Sequence, residues 1–247
     1  MASEKEVVAP TNAGKADSII FGAEDGTARP GVLFLTDIGG IRKANEDMAR
    51  RLSDEGYTVF MPNVFYRSGR PPIFESSFRA GDEKAMARMK EISTPLTAEA
   101  EAEDQSAYID LMAKEPSIRI GPIGVVGYCF TGSVALRAAA ARPDRVAAMA
   151  SFHGGRLFTD AADSPHLVLP AVGARLYFGH AVNDKSMPQD AIDKFDAALA
   201  RWGGRYESEV HEGAYHSWTV PDSPVYNETQ AERAFRKLLA LFSETLR

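Results

Sequence analysis

The ten residues Ile123–Gly132, reading Ile-Gly-Val-Val-Gly-Tyr-Cys-Phe-Thr-Gly, constrain this chain more than any others. An apolar, β-branched run breaks at Gly127-Tyr128-Cys129 and passes straight into Ser133–Arg142, an alanine-rich stretch of high helix propensity. A strand that turns directly into a helix, with a nucleophilic side chain at the turn, is a nucleophile elbow. The turn strains the backbone and lifts the nucleophile above the sheet. Strand and helix approach closely there, which favours residues without bulk two before and two after the nucleophile. Gly127 meets the first requirement; Thr131 holds the second position, with Gly132 one further on, and Cys129 is the only cysteine in the chain.

A lone cysteine ordinarily packs as a small buried hydrophobe, so Cys129 acquires chemical meaning only from its partners. The order of the chain supplies candidates. After a lead-in over Met1–Ala16, short apolar runs at Ser18–Gly22, Gly31–Thr36, Tyr57–Met61, Val146–Phe152, Ala174–Phe178 and Tyr206–Val210 read as strands. Helical patterns separate them: Arg42–Glu55 closed by Gly56, Thr97–Ala113 with Thr97 as N-cap, Pro188–Trp202 stopped by Gly203, and Asn227–Leu246. This alternation predicts one α/β domain over residues 1–247, a doubly wound, mostly parallel sheet with helices on both faces. Residues 63–95, with Arg67, Arg70, Arg79 and Pro71-Pro72, break the pattern and read as an insertion covering the site, with a short helix near Asp82–Glu91.

In such sheets the chemistry gathers beyond the carboxyl ends of the strands. Cys129, Asp184 and His216 each follow a strand, 55 and 32 residues apart, as do Asp37 and His153. Nucleophile, acid and base in that order are those of an α/β-hydrolase fold. His216 would take the thiol proton, Asp184 would fix the imidazole, and the N–H groups of Phe130 and Ile38 would form an oxyanion hole. Each residue has a plainer reading: Asp184 as a turn former, His216 as a structural histidine. His153 lies too early for the base and reads as a pocket or packing residue. His166, His180 and His211 lack metal-ligand spacing and read as surface or loop positions.

The elbow Gly127–Gly132, Asn183-Asp184 and Tyr215-His216-Ser217-Trp218 resemble the dienelactone hydrolase family over nearly the whole chain from about Gly31. The resemblance implies hydrolysis of an enol-lactone or related ester through an acyl-cysteine, with no cofactor and no metal. It places Asp37 where the family has a thiol-activating glutamate; Tyr128, His153 and Trp218 are expected around the substrate, with Arg67, Arg70 or Arg79 as candidates for any acid group it carries. Thr131 stands where the family has glycine, and Thr219-Val220-Pro221 stand where dienelactone hydrolase itself carries a carboxylate-binding arginine. A more apolar or larger ester or lactone is therefore expected. A hydrolase-fold protein that binds without turnover and a redox-sensing thiol are the alternatives.

A net charge of −6 argues against nucleic acid or an anionic membrane surface as partner. Met1–Lys15 is polar, so no secretory signal is expected, and no apolar run approaches the ~20 residues of a membrane span. The expectation is a cytoplasmic monomer or homodimer acting on a small molecule.

Overall fold

The computed structural model describes residues 2–74 and 82–246. The chain divides into two compact units, residues 1–119 and 120–247.

The first unit contains β1 (Ala2–Thr11), β2 (Gly14–Ala23), β3 (Gly31–Leu35), α1 (Lys43–Asp54), β4 (Thr58–Pro62), a 3₁₀ turn at Tyr66–Ser68, α2 (Glu83–Ser93) and α3 (Ala98–Met112). Its strands lie in the order β1-β2-β4-β3, with β3 and β4 parallel and the other two pairings antiparallel. The expected lead-in is instead a strand: β1 pairs with β2 from Ala2↔Ala23 to Thr11↔Gly14 across a tight turn at Asn12-Ala13. Its charged residues Glu4, Lys5 and Glu6 conceal it from a hydrophobicity reading, and such charges suit a strand with one open edge. Helix α3 begins as expected, with Thr97 Oγ1 accepting from the Ala100 N–H at 3.2 Å.

The second unit contains β5 (Ile123–Tyr128), α4 (Thr131–Ala141), β6 (Val146–Phe152), a 3₁₀ segment at Pro165–Ala171, β7 (Arg175–His180), α5 (Gln189–Trp202), β8 (Tyr206–Val210) and α6 (Glu228–Thr245). The four strands lie side by side in chain order and are all parallel. Every residue of β5 is buried, as an uninterrupted apolar strand requires. Helix α5 starts after Pro188 and stops at Gly203, whose φ of +73° suits glycine. Asn227 caps α6 through the Gln230 N–H. Because the strands are parallel, the residues that follow β5, β6, β7 and β8 all emerge at one edge of this sheet. Among the described residues, no helix is long and apolar enough to cross a membrane.

Candidate active site

The elbow forms between β5 and α4. Cys129 has φ +57°, a left-handed conformation that non-glycine residues seldom adopt. The last residue of β6 and the turn after it hold this strained residue from both sides: the Cys129 N–H donates to the Phe152 carbonyl (3.1 Å), and its carbonyl accepts from Gly155 N–H (3.2 Å). The closeness of strand and helix is measurable at the glycines. A Cβ on Gly127 would lie 2.2 Å from the Thr131 carbonyl oxygen, and one on Gly132 would lie 2.3 Å from Ser151 Oγ and 2.7 Å from Gly154 Cα. Thr131 is fully buried, and its hydroxyl accepts from the Tyr128 N–H (3.0 Å) and donates to the Tyr128 carbonyl (3.1 Å). The side chain expected to crowd the nucleophile is therefore a staple across the turn. Cys129 also stands just before the N-terminus of α4, where the helix dipole favours negative charge.

The loops after β7 and β8 bring two further groups to the sulfur. His216 Nε2 lies 3.0 Å from Cys129 Sγ, and His216 Nδ1 lies 2.6 Å from Asp184 Oδ2. Asp184 is buried, and its other oxygen accepts from the N–H (2.8 Å) and the hydroxyl (2.7 Å) of Ser186. Burial raises the carboxyl, but the bonds from His216 and Ser186 outweigh it and hold Asp184 below the usual range. Burial likewise works against a charged His216, yet the hydrogen bonds it donates to Asp184 and Cys129, with their charges, lift it to about 10. Such a set can hold an imidazolium against a carboxylate and a sulfur, which is the equipment for nucleophilic acyl transfer.

Tyr128, His153 and Trp218, expected to line a substrate pocket, are all buried. They pack on one another: Tyr128 stacks on Phe152 (5.6 Å), and Trp218 meets His153 (6.0 Å), Phe152 (6.2 Å) and His211 (4.3 Å). His153 meets His216 at 5.3 Å between ring centroids. Burial first, and then the charge of His216, push His153 well below its ordinary value, so it is a neutral ring. His180 and His211 are buried too, contrary to the surface reading. Their imidazoles bond Ser208 and Tyr177, side-chain partners on neighbouring strands that a linear pattern does not reveal.

The remaining candidates lie in the first unit. Asp37 is buried, with both oxygens held by Arg42 (2.5 and 3.0 Å) and one also accepting from Gly39 N–H. Ile38 follows it in the loop after β3. Arg67 is neither solvated nor open: Asp104 takes its guanidinium through both carboxylate oxygens, and the group lies over the Tyr66 ring. Arg70 pairs with Asp17 on the surface. Arg79 lies outside the described residues. Ser186 and Thr219 were not foreseen. The Asp-x-Ser spacing of a side-chain-capped turn is a usable signal for Ser186, whereas nothing local marks Thr219. Among the described residues, no group of three or more His, Cys, Asp or Glu side chains is placed to hold a metal ion.

Parallel strands joined by helices, with a strand-to-helix elbow after β5 and Asp184 and His216 in the loops after β7 and β8, have the form of an α/β-hydrolase fold. The profile of the dienelactone hydrolase family matches residues 17–246, and the chain belongs to that family. It is a hydrolase by that membership. A carboxymethylenebutenolidase of Rhodococcus opacus is 27% identical over 198 residues, covering 78% of this chain and 73% of that one. A Synechocystis protein with a provisional assignment to the same enzyme is 24% identical over 221 residues, 88% of this chain and 87% of its own. The crystal structure of a Klebsiella pneumoniae protein, provisionally a dienelactone hydrolase, shares the fold with a TM-score of 0.86 at 20% identity, covering 98% of this chain and 99% of that one.

Proposed function

We propose that this chain hydrolyses a small carboxylic ester or enol-lactone through an acyl-Cys129 intermediate, with His216 as proton carrier and Asp184 as the group that orients it. The observation that carries the reading is the unbroken line of contacts from Asp184 Oδ2 to His216 Nδ1 and from His216 Nε2 to Cys129 Sγ. The sulfur, its proton on His216, attacks the carbonyl carbon and forms a C–S bond as the carbonyl oxygen becomes an oxyanion. The Phe130 N–H, next after the nucleophile, is one donor for that oxygen. Collapse breaks the C–O bond, and the leaving alkoxide or enolate takes the proton from His216. Water then attacks the thioester with His216 taking its proton; its hydroxyl ends on the acid product, the C–S bond breaks, and the thiolate–imidazolium pair is restored. In a lactone the leaving oxygen stays tethered to the product.

The name of the Rhodococcus relative places it on a butenolide, a cyclic unsaturated ester, which supports an ester or lactone here. Thr219 and Val220 are buried, so that stretch supplies no cation for a substrate carboxylate, and an apolar acyl group suits it better. Thr131, which stands where the family has glycine, spends its hydroxyl inside the elbow.

The test is intact mass after brief exposure to activated esters and enol-lactones, for wild type and Cys129→Ala. An acyl increment in the wild type, absent from the variant together with hydrolysis, is the expected result. Undiminished hydrolysis by Cys129→Ala would sink the reading.

A further inference from the structure

The residue that follows β6 carries more than packing. His153 is completely buried, has φ +40°, and is pushed towards its neutral form, yet it sits against the imidazole whose charged form Asp184 and Cys129 favour. A buried, left-handed histidine is costly on two counts, since both the backbone and the polar ring disfavour it. What it gains is connection. Its N–H donates to the Gly179 carbonyl at the end of β7 (2.7 Å), and its Nε2 lies 2.7 Å from Thr219 Oγ1. Thr219 is three residues past His216, in a loop tightened by Trp218 N–H to the Tyr215 carbonyl (3.0 Å) and Val220 N–H to the Ser217 carbonyl (3.1 Å). The residues on either side of His153 hold the nucleophile: the Phe152 carbonyl takes the Cys129 N–H, and Gly155 N–H holds the Cys129 carbonyl.

We propose that the His153–Thr219 hydrogen bond is the strut that fixes the loop of His216 against the strand end that holds Cys129, and so sets the Nε2–Sγ separation. The proposal rests on the functional reading above, in which these two atoms exchange a proton. His153 is thereby a positioning residue: it touches the base without reaching substrate. The ring nitrogen left over, Nδ1, has no hydrogen-bond partner among the described residues. A bare lone pair is less costly there than a buried, unpartnered N–H, so the tautomer with hydrogen on Nε2, donating to Thr219, is the one assigned. Neutrality is also a requirement of the design. The titratable groups facing His153 are His216, Asp184 and His211, and a second imidazolium beside His216 would work against the ion pair.

The strut is tested with Thr219→Val, which keeps the shape and loses the hydroxyl, Thr219→Ser, which restores the hydroxyl, and His153→Phe, which keeps a ring beside His216. Two readouts suffice: steady-state ester hydrolysis, and the rate and pH profile of Cys129 alkylation by iodoacetamide, both well below the melting temperature. Thr219→Val should lower kcat and alkylation at neutral pH by roughly 10- to 100-fold with little change in KM, because small misplacements of a reacting pair cost that much. Thr219→Ser should stay near wild type, and His153→Phe should match Thr219→Val. A residue that only supports the fold would lower the melting temperature and leave the alkylation profile of the folded protein unmoved. Wild-type alkylation in Thr219→Val, or in His153→Phe should the valine variant not fold, overturns the strut; so does equal impairment of the serine and valine variants. Cys129→Ala, run alongside, separates this from failure of the functional reading, which would appear as hydrolysis persisting without the sulfur.

Discussion

Replacing Asp184 with asparagine tests the acid's role with almost no change of shape, and the surroundings of the carboxylate fix what the amide will do. The Oδ1 position accepts two donors from Ser186, the backbone N–H at 2.8 Å and the hydroxyl at 2.7 Å. The backbone donor cannot be turned away, so the amide oxygen must take that place and the NH₂ must face His216 Nδ1. Nδ1 then has to accept, which puts the ring hydrogen on Nε2, aimed at a sulfur 3.0 Å away. A ring in that tautomer cannot take the thiol proton. It also loses the partner that, with Cys129, outweighs burial and lifts His216 to about 10. The same exchange in a serine-protease triad costs about 10⁴ in kcat; a thiol is intrinsically the better nucleophile, so a loss of about 10² to 10⁴ is expected here. Ester hydrolysis gives the loss in kcat/KM, alkylation of Cys129 by iodoacetamide at neutral pH gives the loss of nucleophile, and the melting temperature shows that the fold persists. An Asp184→Asn enzyme within about threefold of wild type in both rates refutes the tautomer argument.

Gly127→Ala drives a methyl group against backbone, 2.2 Å from the Thr131 carbonyl oxygen; the helix must shift, costing about 1–3 kcal/mol and a drop of several degrees in melting temperature, read by thermal unfolding. An unchanged transition would mean that the elbow is not tightly packed. Thr131→Val keeps the shape but strips the Tyr128 N–H and carbonyl of their side-chain partner inside a buried turn, so about 1–3 kcal/mol should be lost in denaturant unfolding; a neutral result would remove the staple. Finally, the pKa of His216 is raised on folding, so its contribution to stability is full below about 6.5 and is lost as pH rises towards about 10. The gap in melting temperature between wild type and His216→Gln should therefore narrow across that window, and a constant or widening gap contradicts the sign.

What could be read from the chain alone was whatever is encoded locally. The strand-to-helix turn at Cys129, the caps at Thr97 and Asn227, and the stop at Gly203 each depend on neighbours in sequence, and each stands where the pattern puts it. Asp184 and His216 were legible as candidates because a parallel sheet collects its strand ends at one edge. Other features depended on groups far apart along the chain. β1 escaped notice because an edge strand needs no apolar alternation, and its pairing with β2 appears only in the register. Arg67, a substrate-side candidate in the sequence, is held by Asp104, on α3, through both carboxylate oxygens, a partner that lies far along the chain. His153 and Thr219 are 66 residues apart, and neither letter announces the other.

Trp218 gives the site its own optical signal. The chain has two tryptophans, and the other, Trp202, ends α5 and is half-buried. Trp218 is fully enclosed two residues past His216, flanked by the rings of Phe152, His153 and His211. With Trp202 replaced by phenylalanine and excitation beyond the tyrosine band, tryptophan emission would come from the base loop alone. The arrival of an acyl group on the sulfur, a change of charge on the adjacent imidazole, or a loosening of the loop could then be followed in real time without attaching a dye.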